Sequence, residues 1–306
     1  MLVSGTKVLK VLEKSAHVKR IKVYLHNNHY VFYNACKVMV YFDFSDCRKR
    51  QFPRNKKNIL MNLLQHVGRY SLLMYQTFSV PQKWKLFFKQ TGKEVEKLGA
   101  DSLAITLIIS LFMGAVMTMQ TQMNIENPLL PRYTVGLVTR DTLLLEFCSS
   151  ILCLILAGKV GSNISSEIGT MRISEQIDAM EIMGVNTANF IILPKIVGFV
   201  LFIPFLVICS MFCGLIGGYF VSLFTDLITP ATYIYGIQYW FVPWYVYYSI
   251  IKSVIFAFTI VSVSSYYGYY VNGGALEVGK ASTNAVVNSS ILILLFNVIL
   301  TKILLS

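Results

Sequence analysis

Few residues of this 306-residue chain can do chemistry, and two of them, Glu146 and Lys252, stand alone inside long apolar runs. A carboxylate within a span is costly, so Glu146 is a functional-site candidate by default. For Glu146 a second reading stands beside this one, a protonated carboxyl hydrogen-bonded to a neighbouring helix. The other polar concentration is AGKVGSNISSEIGTMRISEQIDAMEIMG (Ala157–Gly184), a glycine-punctuated segment between two apolar runs. From Arg172 to Met183 the spacing predicts one short amphipathic helix. Ile173, Ile177 and Met180 fall on one side, and Glu175, Asp178 and Glu181 on another. Gly184 is placed to end it as a left-handed cap. A helix of this kind suits docking of a soluble protein, the apolar stripe entering a groove while the acids fix register. Helices that merely lie on anionic lipid are basic on the polar face, and this one is acidic.

Several chemistries are excluded. There is no Gly-x-x-x-x-Gly-Lys-Ser/Thr phosphate loop, so ATP, if used, is bound by another polypeptide. The four histidines (17, 26, 29 and 66) precede the apolar runs, and no Ser/His/Asp set exists at a membrane edge. His26, His29, Cys36 and Cys47 match no usual zinc spacing. No metal, cofactor or catalytic residue is therefore expected, and an enzyme is disfavoured. A secondary transporter driven by an ion gradient is the alternative function. It would need ionisable residues in several spans, where only Glu146 and Lys252 are found.

The elements that hold these residues follow from composition. The chain is 55% hydrophobic and only 14% charged. Helical spans of about 20 apolar residues are what a bilayer requires. Five can be drawn, approximately Ser102–Met119, Leu143–Val160, Ile196–Phe224, Pro243–Tyr269 and Val286–Leu305, the third containing Pro204. The expected fold is an all-α polytopic membrane protein. Four of the six cysteines (Cys148, Cys153, Cys209, Cys213) fall in apolar runs and read as small buried hydrophobes. Ahead of the first span, Trp84, Phe87, Phe88, Val95 and Leu98 share one helical face, and Lys85, Lys89, Lys93 and Lys97 the other. That pattern, within a stretch from about 70 to 98, predicts an amphipathic helix at the headgroup level.

Residues 1–60 hold 13 Lys/Arg against 3 acids, whereas residues 61–306 hold 14 against 12. This basic extension carries no nucleic-acid-binding motif. Two readings stand for it: a native segment, or upstream sequence preceding a true start at Met61. The domain division is thus 1–60 and 61–306. Basic flanks mark the cytoplasmic side. The N-terminus is then expected in the cytoplasm, the loops at 161–195 and 270–285 likewise, and the C-terminus on the periplasmic side. The loop near Asp226 falls outside.

The run EIGTMRISEQIDAMEIMGV (Glu167–Val185) resembles the signature of the MlaE family of ABC permeases, which serve phospholipid transport between the membranes of Gram-negative bacteria. The similarity extends in register through LFMGAVMTMQ (Leu111–Gln120), AGKVGSNISSEIG (Ala157–Gly169), LPKIVG (Leu193–Gly198) and IKSVIFAFTIVSVSSYYGYY (Ile251–Tyr270). It covers roughly Tyr70 to the C-terminus. The resemblance implies an inner-membrane permease working as a homodimer, with a separate cytoplasmic ABC ATPase, an MCE-domain partner on the outer face, and phospholipid as cargo. It implies contact with the ATPase through the Arg172–Met183 helix. Glu167, Arg172, Glu175, Asp178 and Glu181, on the one long cytoplasmic loop, and Ile177 of the apolar stripe are the candidates for that coupling. In the family the second span carries an Arg-Glu-Leu-Gly-like stretch near the lipid cavity. Glu146 matches its acid, while Leu145, Phe147 and Cys148 occupy the flanking positions. An acyl chain needs an apolar, water-poor slot, for which Met113, Met117, Gln120 and Glu146 are the expected lining residues.

Overall fold

The computed structural model describes residues 56–79, 84–125, 131–225 and 228–305, with side chains from Gln65 onward. Residues 1–55, including His26, His29, Cys36 and Cys47, lie outside the described residues, as does Asp226. Among those described, all regular structure is helical, and five helices are long and apolar enough to cross a membrane.

Helix α1 (Lys56–Thr77) precedes α2 (Trp84–Glu94). Through a π-helical turn at Val95–Ala100, α2 runs into α3 (Asp101–Asn124), giving one helix of 41 residues. At about 1.5 Å per residue this is roughly 60 Å, twice the hydrocarbon thickness, so only part of it fits in the membrane. The amphipathic portion is the part left over. Trp84 and Phe88 are exposed along with Lys85, Lys89, Lys93 and Lys97, while Leu98 is buried.

The second span is assembled from α4 (Thr134–Thr142), a π-helical segment (Leu143–Ile151), α5 (Leu152–Leu156), a second π-helical turn (Ala157–Gly161) and α6 (Ser162–Ile173). The short α7 (Gln176–Ile182) leads to α8 (Thr187–Phe224), the third span. Helix α8 continues through Pro194 and Pro204 for 38 residues. Its N-terminus is capped by Asn186, whose side chain accepts from the Asn189 N–H at 3.3 Å. The Asn189 side chain in turn donates to the Thr77 carbonyl at 2.8 Å, tying the end of α1 to the start of α8. Helix α9 (Pro230–Gln238) precedes the last two spans, α10 (Trp244–Tyr269) and α11 (Ala275–Leu305).

The second and fourth spans are the most enclosed and the fifth is nearly all surface. The core joins Phe147, Cys148 and Leu152 to Phe199, Ile203 and Leu206 of α8 and to Phe256, Ile260 and Val261 of α10. Helices α3 and α8 meet backbone to backbone. A Cβ on Gly114 would lie 1.8 Å from the Gly214 carbonyl oxygen, so only glycine permits this approach. Such small-residue contacts are how helices pack where lipid supplies no hydrophobic drive between them.

Candidate functional site

The π-helical segment of the second span places Glu146 against α10 and α11. Lys252 of α10 is fully buried and donates to Glu146 Oε1 at 3.0 Å and to the Tyr248 hydroxyl at 2.7 Å. Asn297 donates to Glu146 Oε2 at 3.1 Å, and Ser150 reaches the same oxygen at 3.1 Å. Tyr248 and Thr301 share a hydrogen bond of 3.0 Å, and Ser150 donates to Asn297 Oδ1 at 2.8 Å. Thus one acid and one base are held by a shell of neutral donors and acceptors. Such saturation is needed because a charge pair in a low-dielectric interior recovers its desolvation cost only when the remaining lone pairs and protons are satisfied. The shell is asymmetric: Lys252 is sealed, but the Glu146 side chain is 41% exposed. A carboxylate is therefore left partly open within the apolar stretch of the second span. Departures from α-helical winding of this sort recur at functional sites.

Trp244 and Tyr266 lie near the two ends of α10, and the roughly 22 helical rises between them cover about 33 Å, close to the hydrocarbon thickness. Lys252 then sits about 12 Å inward from the Trp244 end. At that end Arg140, almost wholly buried, donates to the carbonyls of Ile237 (2.7 Å), Tyr239 (2.8 Å) and Trp240 (3.3 Å). A guanidinium at the C-terminus of α9 satisfies orphan carbonyls and favours the helix dipole. It fixes the connection into α10, where Trp240 takes a positive φ of 47°.

A second ionic network lies at the other edge. Lys195 of α8 is buried and donates to Glu94 Oε1 of α2 and to Glu167 Oε2 of α6, each at 2.8 Å. Lys97 reaches Glu167 Oε1 at 2.8 Å from the exposed side. Three helices are joined there with two acids matched by two bases.

The polar segment between the second and third spans is not one helix. Helix α6 ends at Ile173, Glu175 adopts a left-handed φ of 58°, and α7 restarts at Gln176. At the break the Ser174 hydroxyl donates to the Thr170 carbonyl at 2.8 Å as the first helix closes. Arg172 bridges the break to Asp178 at 2.6 Å. Gly184 has φ +78° and caps α7, with the Val185 N–H reaching the Met180 carbonyl at 3.1 Å, as the sequence predicts.

The sequence-predicted residues therefore separate into groups. Glu167 belongs to the Lys195 network, and Arg172 and Asp178 pair with each other. Glu181 accepts from Tyr269 at 2.8 Å and Thr187 at 3.1 Å. Glu175 is exposed and Ile177 is fully buried in this chain's own core. The expected free stripe of Ile173, Ile177 and Met180 is thus replaced by a different surface, because a seven-residue helix must spend its inward face on its own anchorage. The apolar side chains that α7 exposes are Ile182 and its C-terminal neighbour Met183. Of the expected lipid-lining set, Met113 and Met117 are partly buried against the core on α3, and Gln120 is exposed. None of the three is a hydrogen-bond partner of Glu146.

Sequence reasoning missed Tyr248, Asn297, Thr301, Ser150, Lys195, Glu94 and Arg140. Lys252 was visible as a mid-span charge, but its partnership with a residue 106 positions away was not.

A polytopic helical membrane protein with a charged site inside its spans and a structured polar loop at one edge has the form of a transport subunit. The profile of the family described as Permease MlaE matches residues 91–303. A probable ABC transporter permease protein of Rickettsia bellii is 31% identical over 242 residues, covering 79% of this chain and 93% of the relative. A second such protein, from Synechocystis sp., is 30% identical over 248 residues, 81% of this chain and 94% of the relative. Protein Trigalactosyldiacylglycerol 1, chloroplastic, of Arabidopsis thaliana is 29% identical over 229 residues, covering 72% of this chain and 63% of the relative. The chain belongs to the MlaE permease family and is a permease subunit of the ABC type.

Proposed function

We propose that this permease moves phospholipid across or out of the inner membrane as a homodimer, and so helps maintain outer-membrane lipid asymmetry. A cytoplasmic ABC ATPase binds ATP and docks on the α6–α7 loop, and an MCE-domain protein exchanges lipid at the opposite face. The N-terminus is cytoplasmic and the C-terminus periplasmic, as the distribution of basic residues favours. The observation that carries this reading is the half-open Glu146 carboxylate, backed by a sealed Lys252, with the exposed apolar Ile151 and Val298 next in sequence to its partners Ser150 and Asn297. An amphiphile needs such a combination, a polar contact for its headgroup beside an apolar surface for its chains. The Arabidopsis relative carries a lipid's name, which supports a lipid cargo.

The docking surface is then the exposed rim of α7, with Glu175 and Asp178 supplying charge and Ile182 and Met183 supplying apolar contact. Ile177 acts from beneath by holding α7 in place. Breaking charge pairs at a partly buried interface typically costs about 2–5 kcal/mol. The test is to purify the chain with its cognate ATPase and MCE-domain partner and reconstitute them in phospholipid vesicles. ATP-dependent movement of labelled phospholipid, abolished by Glu175→Lys with Asp178→Lys through release of the ATPase, is the expected result. Lipid movement that runs on an ion gradient without the ATPase would instead support the secondary-transporter alternative.

A further inference from the structure

Helix α10 is unbroken from Trp244 to Tyr269, and polar contacts of different kinds hold its two ends. Toward one end is Lys252, bound to Glu146 and Tyr248. At the other, the Tyr269 hydroxyl donates to Glu181 Oε1 at 2.8 Å and shares a 2.8 Å hydrogen bond with Thr187 Oγ1. Thr187 is the buried first residue of α8 and itself bonds Glu181 at 3.1 Å. The Arg172 guanidinium, at the end of α6, lies over the Tyr269 ring, 6.0 Å from its centroid. Four helices therefore converge on one phenol.

The other ties of α7 are of a different character. Ile177 makes apolar contact, which resists separation but not sliding, and Asp178 pairs with Arg172 in the last turn of α6, the neighbouring helix in sequence. Among the described residues, the directional polar contacts from α7 to the third and fourth spans are those of Glu181 with Thr187 and Tyr269. Lys252 and Tyr269 are separated by roughly 25 Å of helix, given a rise of about 1.5 Å per residue. A continuous packed helix of that length can carry a displacement from one end to the other, and such elements carry coupling between distant sites when they have two discrete arrangements.

We propose that Tyr269 is a positioning residue that links α7 to α10, so that a shift of α7 imposed by the ATPase is delivered along α10 to the Lys252–Glu146 pair. This rests on the reading of α7 as the docking element. Tyr269 touches neither nucleotide nor lipid. Its effect falls on how much transport accompanies each hydrolysis event, not on whether the ATPase binds.

The test uses the complex of the chain with its ATPase and MCE-domain partner, in vesicles of phosphatidylethanolamine and phosphatidylglycerol with fluorescent phosphatidylethanolamine as the probe. Three quantities are read: ATPase retained, ATP hydrolysed, and lipid moved per ATP. Tyr269→Phe keeps the ring and removes the hydroxyl. It should retain the ATPase and hydrolyse ATP within about twofold of wild type, while lipid moved per ATP falls about fivefold or more, the scale of a typical coupling energy. Thr187→Val should shift the ratio in the same direction and less. Tyr70→Phe removes a 2.9 Å hydrogen bond to Ser262 on the same helix without touching α7, and should leave the ratio unchanged. A merely destabilised protein would lose hydrolysis and transport together. A wild-type ratio in Tyr269→Phe overturns the proposal, and so does loss of the ATPase from that variant, which would make Tyr269 part of docking. The docking reading has its own test in Glu175→Lys with Asp178→Lys. If that variant keeps its ATPase, the docking reading fails and the proposal falls with it.

Discussion

Lys252 and Lys195 are both buried lysines held by carboxylates, yet their surroundings are built on opposite plans. Lys252 meets one carboxylate, Glu146, and the rest of the shell is neutral: Tyr248, Ser150, Asn297 and Thr301. Lys195 meets two carboxylates, Glu94 and Glu167, and a second lysine, Lys97, balances the charge. The difference follows from position. Within the hydrocarbon every formal charge adds a desolvation cost, so the count is held to one of each sign and neutral groups complete the bonding. At the membrane edge water and headgroups reach the outer members, and charges can be added cheaply. The first arrangement leaves a carboxylate half open. The second fastens α2, α6 and α8.

The largest expected effect breaks the first arrangement. Lys252→Met strands Glu146 inside the span and should destabilise the chain by about 3–5 kcal/mol in denaturant unfolding in detergent. Adding Glu146→Leu should recover most of that loss, because Ser150–Asn297 and Tyr248–Thr301 still pair with one another. Failure of the second substitution to rescue the first would show that the two residues act independently.

Lys195→Met should cost less, about 1–3 kcal/mol, since Lys97 still satisfies Glu167 and only Glu94 is stranded. Equal losses for Lys252→Met and Lys195→Met would erase the distinction drawn between the two regions. The smallest effect belongs to Lys97→Ala. Its pair with Glu167 is solvent-accessible, so the change should be about 1 kcal/mol or less and should fade in high salt. A loss as large as that of Lys195→Met would mean the edge network is as dry as the one in the span.

The sequence displayed much of the fold and only part of the site. Five spans are legible because a long apolar run has few other uses, and each drawn span falls within one of the five long helices or reaches no more than a residue beyond it. Gly184 is legible because a glycine after the last periodic residue is a local cap signal. What failed to show is what depends on distant packing. Glu146 and Lys252 each stood out as a lone charge in an apolar run, but no local pattern pairs residues 106 positions apart. Asn297, Tyr248 and Thr301 look like ordinary polar residues until helix packing brings them to one carboxylate. The expectation of a single helix over Arg172–Met183 failed for a related reason. Helical periodicity persists across Glu175, and only its left-handed φ breaks the chain into two pieces. Ile177 has the apolar spacing of a docking stripe, but spacing does not tell whether the surface it meets belongs to this chain or to another.

The most direct test of the central claim, that the half-open Glu146–Lys252 site receives a lipid headgroup, is mass-spectrometric analysis of lipid copurifying with the intact complex. The comparison is between wild type and the Glu146→Leu/Lys252→Met pair, whose fold and bound ATPase are expected to survive. Wild-type complex should carry bound phospholipid, and the charge-free pair should lose most of it together with ATP-driven transfer. Undiminished bound phospholipid and transfer in the charge-free variant would contradict the assignment and make the ion pair a purely structural feature of the spans.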